Sequence, residues 1–246
     1  MPGDEIDLSI VIPAFNEERR LPATLHRLSS FLKDQPWTWE VRVVDDGSTD
    51  DTVRVTEEVA RTASGIVVQR EPHRGKGGAV RAGLVAARGR FRFMCDADLS
   101  MPPEELPRFL PPAQPAFDVA IGSREGGGAR RVGEPLRRHI TGRCFNYVIQ
   151  MLVARGISDT QCGFKMFTAD SVRAIFPHTT LDGWAFDVEV LCIARALGLR
   201  IVEVPIEWHH RNESQLSVWR DSWRMLRAVM KVRARVRRNS LLRRQG

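Results

Sequence analysis

Short apolar runs alternate with longer segments of helical periodicity along most of the chain, and this alternation constrains the fold more than any other feature. The predicted strands begin at Leu8, Glu40, Gly65, Phe91, Phe117 and Arg200. The first predicted helices run from Asn16 to about Phe31, from a Thr49 or Asp50 cap to about Ala63, and from Gly75 to about Ala87, and a short helix follows Pro103. The later ones run from about Leu136 to Ala154, from Asp170 onward, from about Trp184 to Leu197, and from Val218 to about Arg238. Strands that alternate with helices predict an α/β fold with a parallel sheet and right-handed crossovers.

The strand that begins at Phe91 ends in two carboxylates, Asp96 and Asp98. Side chains two residues apart lie on one face of an extended chain, so both carboxylates should point the same way. Ligands of open α/β sheets bind outside the carboxyl ends of the strands. Two carboxylates in one crevice repel each other unless a cation neutralises them, and Mg²⁺ is typically held by one or two carboxylates together with substrate phosphates. The alternative is a solvated aspartate pair that opens a turn before Pro102.

Two further predicted strands also end in acidic segments, at Pro13 to Glu17 and at Asp45 and Asp46. In a parallel sheet these strand ends converge on the same crevice as Asp98. Standard nucleotide loops are not present in the sequence. The Gly75-Lys-Gly-Gly-Ala-Val run departs from GxGxxG at its last position, and no GxxxxGK[ST] occurs. Hydride transfer and P-loop phosphoryl transfer are therefore disfavoured.

Two residues near this crevice have alternative interpretations. Lys76 lies at a predicted helix start, which is a good place to meet an anionic group, but it would equally suit an exposed turn. Asp46 either contacts a ligand or caps the helix that follows it.

Composition sets the class of protein. A chain of 246 residues with 43% hydrophobic residues suits one α/β domain with a full core. No run of about 18 apolar residues occurs, so no spanning helix is predicted, and the N-terminus lacks the basic and apolar regions of a secretory signal. The cysteines form no CxxC pair, which favours reduced thiols in a cytosolic protein over a zinc site. They are Cys95, Cys144, Cys162 and Cys192.

The positive charge is concentrated in the C-terminal segment. From Arg211 onward there are 11 Lys and Arg against 2 Asp and Glu, a net charge of +9, whereas the preceding residues carry a net charge of −2. The predicted last helix combines basic residues with an apolar face and with Trp219 and Trp223, a composition that suits a membrane interface. Each basic residue near an anionic bilayer contributes roughly 1 kcal/mol. The alternative is that the apolar face packs on the body of the protein.

The order of the motifs resembles that of GT-A glycosyltransferases of family 2, and the set closely resembles the polyprenyl-phosphate branch of that family. The segments that carry the resemblance are Pro13-Ala-Phe-Asn-Glu17, Val44-Asp-Asp-Gly-Ser48, Gly75-Lys-Gly, Asp96-Ala-Asp-Leu99 and Gly122-Ser-Arg124. Two more segments resemble dolichyl-phosphate β-glucosyltransferases in particular: Asp159-Thr-Gln-Cys-Gly-Phe-Lys165 and Trp184-Ala-Phe-Asp-Val-Glu189. The resemblance covers about residues 8–216. It implies a GT-A catalytic domain over 1–216, Rossmann-like with a mostly parallel sheet, and a basic amphipathic helix over 217–246.

The resemblance implies a role for each matching position. The residues implied to bind the nucleotide are Pro13, Ala14, Phe15, Glu17, Asp45, Asp46, Lys76, Asp96 and Ala97. Asp96 and Asp98 are implied to hold Mg²⁺ or Mn²⁺, and the residues implied in catalysis are Asp98, Arg124 and Asp187. The guanidinium fork of Arg124 suits bidentate binding of a phosphate. Arg138 and Arg211 are implied to meet the acceptor phosphate.

Some positions stay open. Asp187 and Glu189 either orient the acceptor or the sugar, or form a pair on a helix surface. For Arg137 and Arg143, the alternative to a functional role is that they are solvated charges on a helix. The late loop departs from the family because Gln215 stands where a lysine is usual, which makes Arg211 the candidate replacement.

The implied reaction is a single displacement that transfers glucose from UDP-glucose to a polyprenyl phosphate with inversion. One alternative is mannosyl transfer from GDP-mannose, and another is a non-catalytic protein that binds polyanions or membranes. The sequence predicts peripheral association with the cytoplasmic face of a membrane through the C-terminal helix, and no nucleic-acid partner.

Overall fold

The computed structural model describes residues 5–133, 156–210 and 218–238. The predicted helix over 136–154 and the predicted boundary between 216 and 217 lie outside these ranges.

Nine strands and six α-helices make up the described chain. The strands are β1 Leu8–Ala14, β2 Trp39–Asp45, β3 Ile66–Arg70, β4 Phe91–Met94, β5 Val119–Ser123, β6 Arg130–Val132, β7 Lys165–Thr168, β8 Ile201–Pro205 and β9 Glu207–His209. The helices are α1 Leu21–Lys33, α2 Thr52–Thr62, α3 Lys76–Ala86, α4 Ala169–Ile175, α5 Phe186–Ala196 and α6 Val218–Arg238, with short 3₁₀ helices at Pro103–Phe109 and Phe176–His178.

Seven of the strands form the central sheet, in the order β3-β2-β1-β4-β7-β5-β8. Parallel pairs join β3, β2, β1 and β4, and a further parallel pair joins β5 to β8. β7 runs antiparallel to both of its neighbours. The expected mostly parallel sheet is therefore confirmed, and strands alternate with helices from β1 to β5 as predicted. β7 was not predicted from the sequence, where Lys165 closes a motif and the next helix begins at Asp170.

Helix α1 begins at Leu21, later than the predicted start at Asn16. Asn16 has a φ of 56°, a left-handed conformation that does not occur inside a right-handed helix. The Asn16 side chain accepts the backbone N–H of Thr49 at 2.9 Å, and its own N–H donates to Ser48 Oγ at 2.9 Å. These bonds tie the loop after β1 to the loop after β2. Pro22 then lies in the first turn of α1, where a missing N–H costs no helical hydrogen bond.

Helix α2 begins at Thr52. Asp51 precedes the helix as its N-cap residue, so neither predicted cap, Thr49 or Asp50, occupies that position, although Asp50 accepts the Thr52 N–H at 3.0 Å. Thr49, the other predicted cap, instead donates its N–H to the loop after β1.

The core lies on both faces of the sheet. Ile10 and Ile12 of β1 pack on one face with α1 and α2, whereas Val11 between them packs on the other face with α3 and α5. This alternation is the period of two that a strand imposes on its side chains. Each fully buried aliphatic side chain of this kind contributes about 1.5–3 kcal/mol to stability.

A second, two-stranded sheet pairs β6 with β9 in parallel. The N–H of His209 in β9 donates to the carbonyl of Ser100 at 2.7 Å, so this small sheet holds the loop that follows β4.

Helix α6 packs against α5. Val229 and Val232 are buried in contact with Val188 and Cys192. The interpretation that the apolar face packs on the body is therefore confirmed for these two residues. Within the described ranges, no helix has the length and apolar content needed to cross a bilayer.

Candidate active site

Three loops meet at the carboxyl ends of β1, β2 and β4, as predicted. β1 lies between β2 and β4 in the sheet, and Ala14 pairs with Asp45 in the register of β1 and β2. Asp96 and Asp98 follow the end of β4. The sheet therefore brings the acidic segments to one edge, where ligands of open α/β sheets bind.

Lys76 and Asp96 form an ion pair at this edge. The Lys76 Nζ lies 2.6 Å from the Asp96 Oδ1, and only 17% of the lysine side chain is exposed. The alternative of an exposed lysine in a turn is therefore wrong. Burial lowers the pKa of Lys76, but the carboxylates of Asp96, Asp187 and Asp98 together raise it above the ordinary value. The start of α3 thus presents a fully charged ammonium group at neutral pH.

Gly163 makes room for the carboxylate of Asp96. A Cβ at Gly163 would lie 2.7 Å from the Asp96 Cγ, which is closer than real Cβ contacts. Only glycine allows this backbone to approach the carboxylate so closely. The neighbouring Cys162 is buried, and burial raises the pKa of its thiol to about 12, so the thiol stays protonated.

Asp98 is half-buried and is fixed by the turn that follows it. Its Oδ1 accepts the N–H of Ser100 at 2.9 Å, and Leu99 between them has a φ of 45°. Because His209 holds the carbonyl of Ser100, the turn is tied to β9 as well as to β4.

The oxygen ligands of Asp96 and Asp98 fit a hard divalent cation. Mg²⁺ and Mn²⁺ prefer carboxylate, phosphate and water oxygens, and Mg²⁺ commonly takes only one or two carboxylates from the protein. No cluster of three His, Cys, Asp or Glu residues suited to a metal is found in the described part of the chain. Asp96 and Asp98 offer carboxylate oxygens of the kind that these cations prefer.

Asp46 organises the loop that carries Lys76. Its carboxylate accepts the backbone N–H groups of Arg74 and Gly75, each at 2.9 Å, and lies 3.0 Å from the Nδ1 of His73. These N–H groups precede α3, so the predicted capping of α2 by Asp46 is wrong. Nucleotide contact by Asp46 stays a prediction, and its carboxylate is buried behind the loop.

Phe15 and His73 form a pair of stacked rings, with centroids 4.3 Å apart and planes inclined by 28°. Phe15 is 43% exposed and directly follows Ala14, the register partner of Asp45. Asp45 is buried, and its Oδ1 accepts the N–H of Ser48 at 3.2 Å. An exposed aromatic face close to a carboxylate suits a planar heterocycle that carries N–H donors.

Glu17 is engaged within its own loop. Both of its carboxylate oxygens accept bonds from Arg20 at 2.7 Å, and its backbone N–H donates to Thr52 Oγ1 at 2.7 Å. Nucleotide contact by Glu17 stays a prediction.

The other predicted nucleotide residues lie at the ends of β1 and β4. Pro13 and Ala14 close β1. Ala97 is buried, and its carbonyl accepts the hydroxyl of Thr24 from α1 at 2.6 Å.

Arg124 binds a carboxylate through both arms of its guanidinium group. Its Nε and Nη2 lie 2.6 and 2.9 Å from the two oxygens of Asp159. Burial would raise the pKa of Asp159, but Arg124 holds that pKa at about 2. The guanidinium group also lies over the ring of Trp208, 5.5 Å from its centroid. A phosphate at Arg124 would share the guanidinium group with Asp159, and the predicted catalytic role stays a prediction.

Asp187 forms a buried ion pair with Lys165 of β7. The two charged groups are 2.6 Å apart, and the lysine side chain is 0% exposed. The Lys165 ammonium also donates to the carbonyl of Cys162, next to Gly163. The alternative of a carboxylate pair on a helix surface is therefore wrong, since Glu189 is equally buried. Catalysis by Asp187 stays a prediction.

Several predicted residues lie outside the described ranges. These are the acceptor residues Arg138 and Arg211, with Arg137, Arg143 and Gln215.

Four residues of the site were given no role from the sequence: His73, Asp159, Gly163 and Lys165. Three of them lie in the motif Asp159-Thr-Gln-Cys-Gly-Phe-Lys165. Gly163 contacts Asp96 and Asp159 contacts Arg124, so the partners of these residues are remote in the chain. The only feature of the sequence that pointed to His73 is its position two residues before Gly75.

The model of the glycosyl transferase family 2 matches residues 9–176. The dolichyl-phosphate β-glucosyltransferase of Dictyostelium discoideum is 34% identical over 248 residues, which are 95% of this chain and 76% of the relative. The dolichyl-phosphate β-glucosyltransferase of Saccharomyces cerevisiae is 34% identical over 256 residues, 94% of this chain and 75% of the relative. The fold is that of glucosyl-3-phosphoglycerate synthase from Mycobacterium tuberculosis in complex with Mn²⁺ and UDP-glucose, with a TM-score of 0.68, 19% identity and coverage of 93% and 79%. This likeness shows the GT-A fold.

Proposed function

Because the chain belongs to glycosyl transferase family 2, we propose that it transfers glucose from UDP-glucose to a polyprenyl phosphate of the dolichyl type. One observation carries the proposal: relatives named dolichyl-phosphate β-glucosyltransferase are 34% identical over nearly the whole chain. The charged edge of the sheet supplies the chemistry that such a transfer needs.

The transfer is a single displacement. A phosphate oxygen of the acceptor forms a bond to the anomeric carbon of glucose as the bond from that carbon to the UDP oxygen breaks. One displacement inverts an α-linked donor to a β-linked product. The acceptor phosphate is already an anion near neutral pH, so no strong base is required to activate it.

Negative charge builds on the leaving diphosphate, and Lys76 is placed to stabilise it. The ammonium group is fixed before the donor arrives, because it pairs with Asp96 and lies over the ring of Trp184, 5.1 Å from the ring centroid. Preorganised charge aimed at a developing anion is commonly the largest contribution to catalysis. A divalent cation at Asp96 and Asp98 would supply further charge stabilisation of the diphosphate when it is bound.

The nucleoside is assigned to the loops after β1 and β2. The exposed Phe15 ring offers a face for the base, and Asp45 offers a carboxylate to the ring N–H. Uracil and guanine both carry such an N–H, so this contact does not distinguish UDP-glucose from GDP-mannose. Binding of the two donors is therefore compared by experiment.

The test is calorimetric titration of UDP-glucose and GDP-mannose into the full chain with Mg²⁺ or Mn²⁺. We expect UDP-glucose binding that depends on metal and is lost in Asp98→Ala but kept in Asp34→Ala, which changes an exposed aspartate. Preferential GDP-mannose binding would instead indicate mannosyl transfer. Failure to bind either donor would overturn the enzymatic proposal and favour a protein that only binds polyanions.

We further propose that α6 attaches the enzyme to the cytoplasmic face of a membrane, where a polyprenyl phosphate resides. Its buried valines face α5, whereas Arg227, Met230, Lys231 and Arg238 are exposed. Cationic side chains around an exposed methionine suit an anionic lipid surface.

Replacement of Arg227, Lys231 and Arg238 by Gln tests the membrane proposal. With roughly 1 kcal/mol per basic residue, the affinity for vesicles that contain phosphatidylserine should fall on the order of 100-fold. Phosphatidylcholine vesicles provide the control. Unchanged co-sedimentation of the triple variant would contradict attachment through this face.

A further inference from the structure

Residues 179–184, here called the bridging segment, cross the N-terminal end of α3. The carbonyl of Asp182 accepts the N–H of Gly77 at 2.7 Å, and its carboxylate pairs with Arg81. A Cβ at Gly77 would lie 2.7 Å from the Leu181 carbonyl oxygen, so the segment lies directly on the helix end. The ammonium group of Lys76 lies over the ring of Trp184, at the far end of the segment. The position of the bridging segment therefore determines the surroundings of Lys76.

Glu189 of α5 anchors the other side of the bridging segment. Its side chain is 0% exposed. The carboxylate accepts the backbone N–H of Thr180 at 3.0 Å, the Thr180 hydroxyl at 3.1 Å and the backbone N–H of Leu181 at 2.8 Å. A buried carboxylate needs a cation as well as hydrogen bonds, because an uncompensated buried charge is strongly destabilising.

Arg235 of α6 provides that cation. Its guanidinium group pairs with Glu189 and donates to the Thr180 hydroxyl, and it also donates to the His178 carbonyl at 3.2 Å. A continuous set of contacts thus runs from Arg235 through Glu189 and the bridging segment to the start of α3.

We propose that Arg235 is a positioning residue for the donor diphosphate. It does not contact the reacting groups but keeps the bridging segment on α3, which fixes Lys76 beside Asp96. This inference rests on the proposed function, since it assigns the Lys76 ammonium to the diphosphate of the donor. The helix proposed to meet the membrane would then also complete the donor site.

The inference predicts which part of the donor loses affinity. Lys76 is assigned to the diphosphate, whereas Phe15 and Asp45 are assigned to the nucleoside. Arg235→Ala should therefore weaken binding of UDP roughly tenfold, a typical coupling between separate sites. Binding of uridine should stay unchanged, because the contacts that the structure describes for Arg235 are with Glu189, Thr180 and His178 and not with the loops after β1 and β2.

The experiment is calorimetry on the full chain with Mg²⁺ and without vesicles, using UDP and uridine as ligands. Arg235→Lys, which keeps one charge, should restore part of the UDP affinity. Lys33→Ala is the control, because Lys33 is an exposed cation at the end of α1, and it should bind both ligands as the wild type does. In Lys76→Ala, the further change Arg235→Ala should have little added effect, since both act through one group.

Other outcomes overturn the inference. Equal loss of UDP and uridine affinity in Arg235→Ala and in Arg235→Lys would indicate general loosening of the fold. Unchanged UDP affinity, or effects of Arg235→Ala and Lys76→Ala that simply add, would also contradict it. If the wild type and Arg235→Ala bind UDP with equal affinity, this inference is refuted but the proposed function is not. A wild type that binds no nucleoside diphosphate refutes the proposed function with it.

Discussion

The ammonium group of Lys76 lies 2.6 Å from the carboxylate of Asp96, and the backbone of Gly163 closes the other side of that carboxylate. The pair is therefore held from two directions before any donor enters. A diphosphate adds negative charge to an edge that already carries Asp96 and Asp98. The lysine and a divalent cation together would balance it.

Replacing Lys76 by Met should lower kcat/KM for glucosyl transfer roughly 10- to 100-fold, because one charged hydrogen bond to the diphosphate is lost. Steady-state kinetics with UDP-glucose and a short polyprenyl phosphate would measure the change. Val85→Ala is the control, since Val85 is exposed on the same helix α3. A wild-type kcat/KM in Lys76→Met would remove the lysine from the mechanism.

Replacing Gly163 by Ala should inactivate the enzyme more than it unfolds it. The new Cβ would push the Asp96 carboxylate out of place, and Lys76 with it, whereas the surrounding backbone has an ordinary conformation. Transfer activity and thermal unfolding should be followed together. Gly127→Ala adds the same atom where nothing lies within 4 Å, so it should leave both properties unchanged. Full activity in Gly163→Ala would contradict the assigned contact.

Replacing Lys165 by Met should destabilise the fold by about 3–5 kcal/mol, because the change removes the cation that pairs directly with the buried carboxylate of Asp187. The double variant Lys165→Met/Asp187→Leu should lose less, since it buries no unpaired charge. Urea unfolding would measure both values, with the exposed Lys231→Met as control. Destabilisations that add would show that the two residues do not interact.

The activity of that double variant also tests the catalytic role predicted for Asp187. A folded double variant without activity would be consistent with a catalytic role of Asp187, and a folded, active one would restrict Asp187 to its structural pairing.

The pair of Arg124 and Asp159 should make stability depend on pH in acid. The folded-state pKa of Asp159 is about 2, below its ordinary 3.8, so the carboxylate stabilises the fold above about pH 4 and this contribution is lost as the pH falls towards 2. The full contribution is about 2 kcal/mol. In Asp159→Asn, the free energy of unfolding in urea should therefore be lower at pH 6 and fall less between pH 5 and pH 3. Asp34→Asn, at an exposed position, should keep the wild-type pH profile. A wild-type profile in Asp159→Asn would contradict the pairing.

The sequence pattern was sufficient to predict strands and helices, because these depend mainly on neighbouring residues. The apolar run before Asp96 predicted β4, and alternation with helices predicted that Asp45 and Asp98 lie at the same edge of the sheet. The basic and apolar pattern of Val218–Arg238 predicted a helix whose ends agree with α6.

Partnerships over long distances in the chain could not be predicted in the same way. Asp46 turns towards the N–H groups of Arg74 and Gly75 because the loop after β3 folds over β2, and no local signal reports that contact. The Lys165 and Asp187 charges are buried only because they meet, so neither position alone distinguished a surface charge from a buried one.

The position of β7 has a consequence for how the chain reaches its native state. β7 lies between β4 and β5 in the sheet, although it follows both in sequence. A nascent or truncated chain that stops before Lys165 would therefore leave one edge of β4 and one edge of β5 without a neighbour. Exposed strand edges are templates for pairing with other chains, and pairing between distant segments slows folding. The short strand Lys165–Thr168 covers both of these edges once it is in place.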